Sequence, residues 1–187
     1  AVLILFLVVL GVANYQFSGD RYLATSTTDS SSQAVSSQSS AITGTPKQTG
    51  PNVQAAIEAL SLGTAKSSDM SFIAQVATSD ATMQSLTILD NNDRAGSVTW
   101  IESTQVKTSF IALKEALLSA FSPLVTDLHD ETKELPSGPT ANILTFMDPS
   151  LSTERLSFVR IRQRLYEFHI VPGKEEVVQR VIDELTK

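Results

Sequence analysis

The sequence contains no cysteine. This absence excludes disulfide bonds, thiolate catalysis and cysteine-based metal sites, so a domain outside the cytoplasm would depend on its hydrophobic core alone. The chain also has no Asn-x-Ser/Thr sequon, no glycine-rich phosphate loop and no G-x-S-x-G motif. Histidine occurs only twice, at His129 and His169. Nucleotide enzymes therefore lack their usual phosphate anchor, and serine hydrolases lack their usual nucleophile turn.

Basic residues are outnumbered by acidic ones, and the formal net charge is −6. Residues 1–67 are neutral overall, because they hold three residues of each sign: Asp20, Asp29 and Glu58 against Arg21, Lys47 and Lys66. The whole excess of negative charge thus lies in residues 68–187. An acidic domain argues against nucleic acid as a partner, since nucleic-acid binding needs a basic footprint.

Residues 1–13 form an uninterrupted apolar run, A-V-L-I-L-F-L-V-V-L-G-V-A. We predict a transmembrane anchor or a signal segment over residues 1–18, which makes the membrane a partner of the chain. A signal segment would be cleaved near Ala13, where small residues precede the cleavage point. In the first case the protein is membrane-anchored and faces the extracytoplasmic side. In the second case it is secreted or periplasmic.

Residues 19–50 are predicted to be a Ser/Thr-rich linker. Ser and Thr supply 14 of the 26 residues from 25 to 50, and large apolar side chains are almost missing. Such a composition cannot bury enough surface to offset the entropy of ordering, so the sequence predicts a disordered tether. A plain linker is favoured over an O-glycosylated stalk, because proline is sparse.

Residues 51–187 carry the patterns of a folded α+β domain. Apolar residues at helical spacing predict helices, and β-branched or aromatic runs bounded by turn residues predict strands. A polar stretch with two prolines and a glycine, 129–139, predicts an exposed loop. The predicted helices are 51–62, 69–78, 104–121 and 174–186, and the predicted strands are 85–89, 97–102, 124–128, 143–147 and one or two within 156–171.

The strongest strand pattern lies in residues 156–171. From Val159 to Leu165 the apolar residues alternate with Arg160, Arg162 and Arg164. The alternation then shifts phase, which indicates either one strand with a bulge near residue 163 or a hairpin with a tight turn there. On one continuous strand the three arginines would form a row about 7 Å apart.

These arginines are the only site residues that the sequence singles out. Arg160, Arg162 and Arg164 could hold an anion or a carboxylate-bearing partner, because guanidinium groups bind carboxylates in bidentate fashion. The alternative is an exposed sheet face whose arginines pair with nearby carboxylates. We predict no catalytic residue, no metal site and no cofactor. His129, together with Asp130, Glu131 and Glu134, could supply metal ligands, but a solvated acidic loop is the favoured interpretation.

The predicted fold class is α+β: an antiparallel sheet of about five strands packed against two amphipathic helices, preceded by an N-terminal apolar helix and a disordered tether. The order hairpin, helix, strands, helix is similar to the sandwich of PsbP-like proteins. The resemblance is one of fold and implies no activity.

We expect a membrane-tethered or exported extracytoplasmic interaction module without catalytic activity, with a protein partner or an assembly as its target. Two alternatives remain open. The first is a structural subunit of a pilus-like or cell-surface assembly, although Leu5 stands where type IV pilins carry a glutamate. The second is a metal-assisted enzyme that uses His129 and its neighbouring carboxylates.

Overall fold

A computed structural model describes residues 50–187 of the chain. The predicted anchor or signal segment (1–18) and almost all of the linker (19–50) lie outside the described residues. Among the described residues, no helix is long and apolar enough to cross a membrane. The elements in chain order are α1 (Val53–Ala59), β1 (Gly63–Lys66), a short 3-10 helix (Ile73–Gln75), β2 (Thr82–Asp90), β3 (Asp93–Glu102), α2 (Val106–Ala120), β4 (Thr126–Glu134), β5 (Thr140–Met147), β6 (Arg155–Ile161), β7 (Arg164–Ile170) and α3 (Glu175–Leu185).

The strands form one antiparallel sheet with the order β1-β2-β3-β7-β6-β5-β4. The α+β class is therefore confirmed, and the sheet has seven strands where the sequence indicated about five. Strands β1 to β3 form one meander and β4 to β7 form a second. The two meanders join where β3 pairs with β7, with Trp100 opposite Tyr166. Helix α2 connects one meander to the other.

Helices α1 and α3 cover one face of the sheet. Alternate residues of the central strands point to this face because side chains along a strand change sides at every position. Val98 and Trp100 of β3 and Phe168 of β7 pack there with residues of the two helices. The apolar stripe of α3 is the one that the sequence predicts, and it buries Val178, Val181, Ile182 and Leu185.

Helix α2 and the 3-10 helix cover the opposite face. Helix α2 contacts β6 and β7, and the 3-10 helix contacts β3 and β7. The buried side of α2 carries Val106, Phe110, Leu113 and Leu117. These side chains meet the second set of alternating strand residues, which includes Phe158 and Leu144. The sheet is thus buried on both faces at its centre.

The phase shift within residues 156–171 marks a hairpin. Strands β6 and β7 pair with Ile161 opposite Arg164, so residues 162 and 163 make a two-residue turn. Arg162 adopts a φ of 53°, which tight hairpin turns require. Of the two alternatives that the sequence left open, the hairpin is correct. The turn explains the shift, since each strand keeps its own regular alternation on its side of it.

Two predicted elements are wrong. Residues 69–78 are not an α-helix, because only Ile73–Gln75 is helical, as a single 3-10 turn. Asp69, the first residue of the predicted helix, pairs with Arg94 at 2.8 Å. Residues 129–139 are not one loop, because β4 extends through Glu134. Strand β4 lies at the edge of the sheet with every residue exposed, so it carries none of the apolar alternation on which the prediction relied.

Candidate functional site

The three predicted site arginines do not share one face of the sheet. Arg160 lies opposite Leu165 and faces the α2 side, whereas Arg164, in phase with Tyr166, faces the α1 side. Arg162 lies in the turn between them. The predicted row of guanidinium groups is therefore absent from the structure, although a binding role for each arginine stays a prediction.

Two of these arginines are engaged within the fold. Arg160 Nε donates to Asn142 Oδ1 at 2.7 Å, and burial lowers the pKa of Arg160. Arg164 contacts Glu102 through Nε at 3.1 Å and Nη2 at 3.0 Å, and its Nη1 donates to the carbonyl oxygen of Pro51 at 2.7 Å. Within residues 50–187, only Arg162 of the three has a guanidinium without a hydrogen bond or ion pair. Arg162 lines a shallow cleft of about 250 Å³.

His129 and its neighbouring carboxylates are spread over both faces of β4. His129 and Glu131 share one face, and Asp130 and Glu134 share the other, because side chains alternate along a strand. No group of three potential metal ligands converges anywhere in residues 50–187. The candidate metal ligands of the sequence are thus separated by the strand that carries them.

A buried carboxylate on β7 organises a polar network that the sequence analysis missed. Glu167 is fully buried on the α2 face. It accepts hydrogen bonds from Ser71 Oγ at 2.7 Å, the backbone N–H of Phe72 at 3.0 Å and that of Ile73 at 2.9 Å. His169 Nε2 lies 2.7 Å from the same carboxylate. The sequence did contain a signal for this network, which is the position of the glutamate between Tyr166 and Phe168 in an apolar strand. A charge buried at such a position needs hydrogen-bond or charged partners.

The network continues to the surface through further charged groups. His169 Nδ1 lies 3.6 Å from Glu154 Oε2, and Glu154 is hydrogen-bonded to Arg94. Arg94 also contacts Asp69, whose pKa is lowered by the hydroxyl of Ser97 and by this guanidinium. These contacts hold residues 69–75 against the sheet, so we assign the network a structural role.

Strand β4 presents the longest unpaired backbone of the described sheet. It pairs with β5 on one side only, and all nine of its residues are exposed. The opposite edge strand, β1, has only four residues. Bonded and non-bonded residue pairs alternate along an antiparallel ladder. Leu135 N–H donates to the carbonyl oxygen of Pro139 at 3.0 Å, and the register from there to His129 is regular.

That alternation fixes which β4 backbone groups are free. Residues 129, 131 and 133 point their N–H and C=O groups toward β5, so those of Asp130, Thr132 and Glu134 point outward. We call this row of outward groups the β4 edge. An extended peptide could pair with it as an eighth strand.

A groove runs beside the β4 edge on the α2 face of the sheet. It has a volume of about 290 Å³ and is lined by Lys107, Phe110, Ile111, Lys114, Glu115 and Asn142. Two contacts tie it to β4: Lys114 Nζ lies 2.5 Å from Asp130 Oδ2, and Asn142 Nδ2 donates to Thr132 Oγ1 at 2.8 Å. The groove therefore lies on the face of the sheet to which alternate side chains of an added strand would point, one strand in from the edge.

Comparison with known proteins gives no assignment: no protein-family model, no curated protein and no solved structure matches this chain.

Proposed function

We propose that this protein is an interaction module without catalytic activity, which binds an extended segment of a protein partner at the β4 edge. The observation that carries the proposal is a nine-residue strand that is paired on one side only within the described part of the chain. Edge pairing gives affinity through main-chain hydrogen bonds and takes its selectivity from alternate side-chain contacts.

The proposed location is the extracytoplasmic side of a membrane or the exported state. The support comes from the sequence, in which the apolar residues 1–13 precede the Ser/Thr-rich residues 19–50. Membrane fractionation with N-terminal sequencing of the mature protein tests this location. A protein that is carbonate-resistant and retains residues 1–13 is the tethered form, and a mature chain that starts near Asn14 is the exported form. A full-length chain found in the cytoplasm would contradict both.

The binding proposal is tested with a pair of variants at one position. Thr132→Pro removes an outward N–H of the β4 edge without removing a bond between β4 and β5. Thr132→Val keeps that N–H and is the matched control, because both variants lose the contact with Asn142. Nine-residue peptides are selected from a random library on the full chain, and their affinities are measured by fluorescence anisotropy.

We expect Thr132→Pro to weaken peptide binding about tenfold or more, because one hydrogen bond is lost and the proline ring obstructs the incoming strand. Thr132→Val should bind within about twofold of wild type. Equal binding by Thr132→Pro would place the peptides elsewhere on the domain. If the library yields no binder at all, the proposal of an interaction module fails.

A further inference from the structure

We infer that the segment which pairs with the β4 edge is basic and places one apolar side chain in the groove beside α2. This inference rests on the proposed function and names the chemistry of the partner. Three observations support it: the position and lining of the groove, the charge of β4, and the repulsion expected between two copies of β4.

The groove favours an apolar side chain. Phe110 is buried at its base, while Ile111 is 46% exposed on the helix and stands at its rim. The stems of Lys107 and Lys114 add apolar surface along the sides, and the ammonium group of Lys114 pairs with Asp130 on β4. A volume of about 290 Å³ is just below the range for small-molecule pockets, roughly 300–1,000 Å³, so a single side chain suits it better than a free ligand.

The charge of β4 favours a basic segment. The strand carries four carboxylates and one lysine. Asp127 pairs with Arg155 and Asp130 pairs with Lys114, each at 2.5 Å. Within residues 50–187, the carboxylates of Glu131 and Glu134 make no hydrogen bond or ion pair. Glu131 and Glu134 lie on opposite faces of β4, and Glu134 shares the groove's face. A lysine or arginine next to the partner's apolar residue would therefore face Glu131, and one two positions away would face Glu134; opposite charges on paired strands are favourable.

The negative charge of β4 also makes two other occupants of the β4 edge less favourable: a second copy of β4 and the chain's own residues 19–50. Two antiparallel copies of β4 would bring four carboxylates on each strand into one ladder, and like charges directly opposite each other destabilise a sheet. The chain's own residues 19–50 contain only two basic residues, Arg21 and Lys47, and two acidic ones, Asp20 and Asp29. A basic segment of another protein therefore fits best.

Three synthetic nine-residue peptides test the inference on the full chain. The first has leucine at the centre, lysine at the two positions on each side of it and threonine elsewhere, so that lysines lie on both faces of the added strand. The second replaces that leucine with serine, and the third replaces the lysines with glutamates. We expect the first to bind about tenfold more tightly than either of the others. Raising the salt concentration should weaken its binding, since the charges involved are exposed.

Variants of the protein, each with a matched control, test which residues recognise the leucine and which recognise the lysines of the peptide. Ile111→Ser should weaken the leucine peptide about fivefold or more, whereas Leu118→Ser, at a helix position of similar exposure outside the groove (41%), should leave it within about twofold. The double variant Glu131→Gln, Glu134→Gln should reduce the preference for the basic peptide about fivefold. Glu176→Gln, an exposed carboxylate on α3, is its control.

The outcomes separate this inference from the function on which it rests. If the acidic peptide binds as well as the basic one and Thr132→Pro still abolishes binding, the edge is a docking site and the partner chemistry is wrong. If Thr132→Pro has no effect, the docking site itself is wrong. Sedimentation of the full chain as a dimer that Thr132→Pro dissociates would make a second copy the occupant and overturn the inference.

Discussion

Glu167 and His169, two residues apart on β7, point to the same face of the sheet and contact each other, with Glu167 Oε1 2.7 Å from His169 Nε2. The aromatic ring of Phe72 stacks on the imidazole, with ring centroids 6.4 Å apart. Because the same carboxylate accepts the N–H groups of Phe72 and Ile73, the pair fixes the segment before β2 against the centre of the sheet.

Replacement of the buried carboxylate should destabilise the fold. Glu167→Gln keeps the size of the side chain but can no longer accept all four hydrogen bonds, so we expect the free energy of unfolding to fall by about 2 kcal/mol. Urea denaturation of the variant measures this change. Glu131→Gln, at an exposed position on β4, is the control and should change stability by less than about 0.5 kcal/mol. Equal stability of the two variants would remove Glu167 as the organiser of this segment.

Asp148 should make the stability of the domain depend on pH in the acid range. Burial raises its pKa, but hydrogen bonds from the backbone and hydroxyl groups of Ser122 and Ser150 outweigh this effect, and the pKa lies below its usual value. The ionised form is therefore favoured in the folded state. Its stabilisation is present above about pH 4, the range in which an unfolded aspartate is ionised, and is lost as pH falls through the lower folded pKa.

Asp148→Asn tests this linkage. The variant should be less stable than wild type at pH 7, and the difference should shrink as pH falls from about 4 toward 2, because wild type then loses the contribution that the variant lacks. Chemical denaturation at a series of pH values gives both curves. A constant difference across the acid range would contradict the assigned role.

Gly96 should not accept a side chain. A Cβ atom at this position would lie 2.3 Å from the backbone oxygen of His169, and backbone atoms inside a sheet cannot easily move away. We expect Gly96→Ala to lower the free energy of unfolding by roughly 1–3 kcal/mol, as overpacked cores do. Gly63→Ala, where the nearest atom is the Leu89 Cβ at 3.3 Å on an edge strand, should cost less. Thermal denaturation of both variants compares them.

Arg164 should contribute to the stability of the fold, whereas Arg162 should not. Arg164→Glu would place a second carboxylate beside Glu102 and withdraw a donor from the carbonyl oxygen of Pro51, so it should lower the free energy of unfolding by about 2 kcal/mol or more. Arg162→Glu alters a half-buried turn residue whose guanidinium makes no hydrogen bond or ion pair within residues 50–187, so it should change stability by less than about 0.5 kcal/mol.

The peptide assay extends the comparison of arginines to function. Binding of peptides at the β4 edge should be the same for Arg162→Glu and wild type, because Arg162 lines a different cleft from the groove beside α2. Loss of binding in this variant at full stability would restore the arginine surface that the sequence predicted as the partner site.

The sequence predicts those elements of this fold that bury an apolar face. Helices α2 and α3 match their patterns to within two residues at each end, because side chains such as Leu113 and Val181 are core residues at helical spacing. The strands predicted over 85–89 and 97–102 are also correct, although β2 and β3 are longer and only Asn91 and Asn92 remain between them as a turn.

The other elements of the fold and the candidate site depend on contacts between residues that are far apart in the sequence, which no local pattern indicates. Strands β1 and β4 are exposed along their whole length, so pairing with a neighbour determines their structure. Glu167 acquires its partners from residues about 95 positions earlier in the chain. The β4 edge could not be found from sequence for the same reason, because a free edge is defined by where a strand lies in the sheet.

The pairing of β3 with β7 has a consequence for how this protein is made. Partners such as Trp100 and Tyr166 are 66 positions apart, so the apolar strand β3 leaves the ribosome long before β7 exists. At about 5–20 residues per second, this delay lasts roughly 3 to 13 s. During that time the apolar strand β3 at the edge of the nascent first meander has no strand to pair with. Chaperones would be needed in this interval, and slow codons would have their largest effect there.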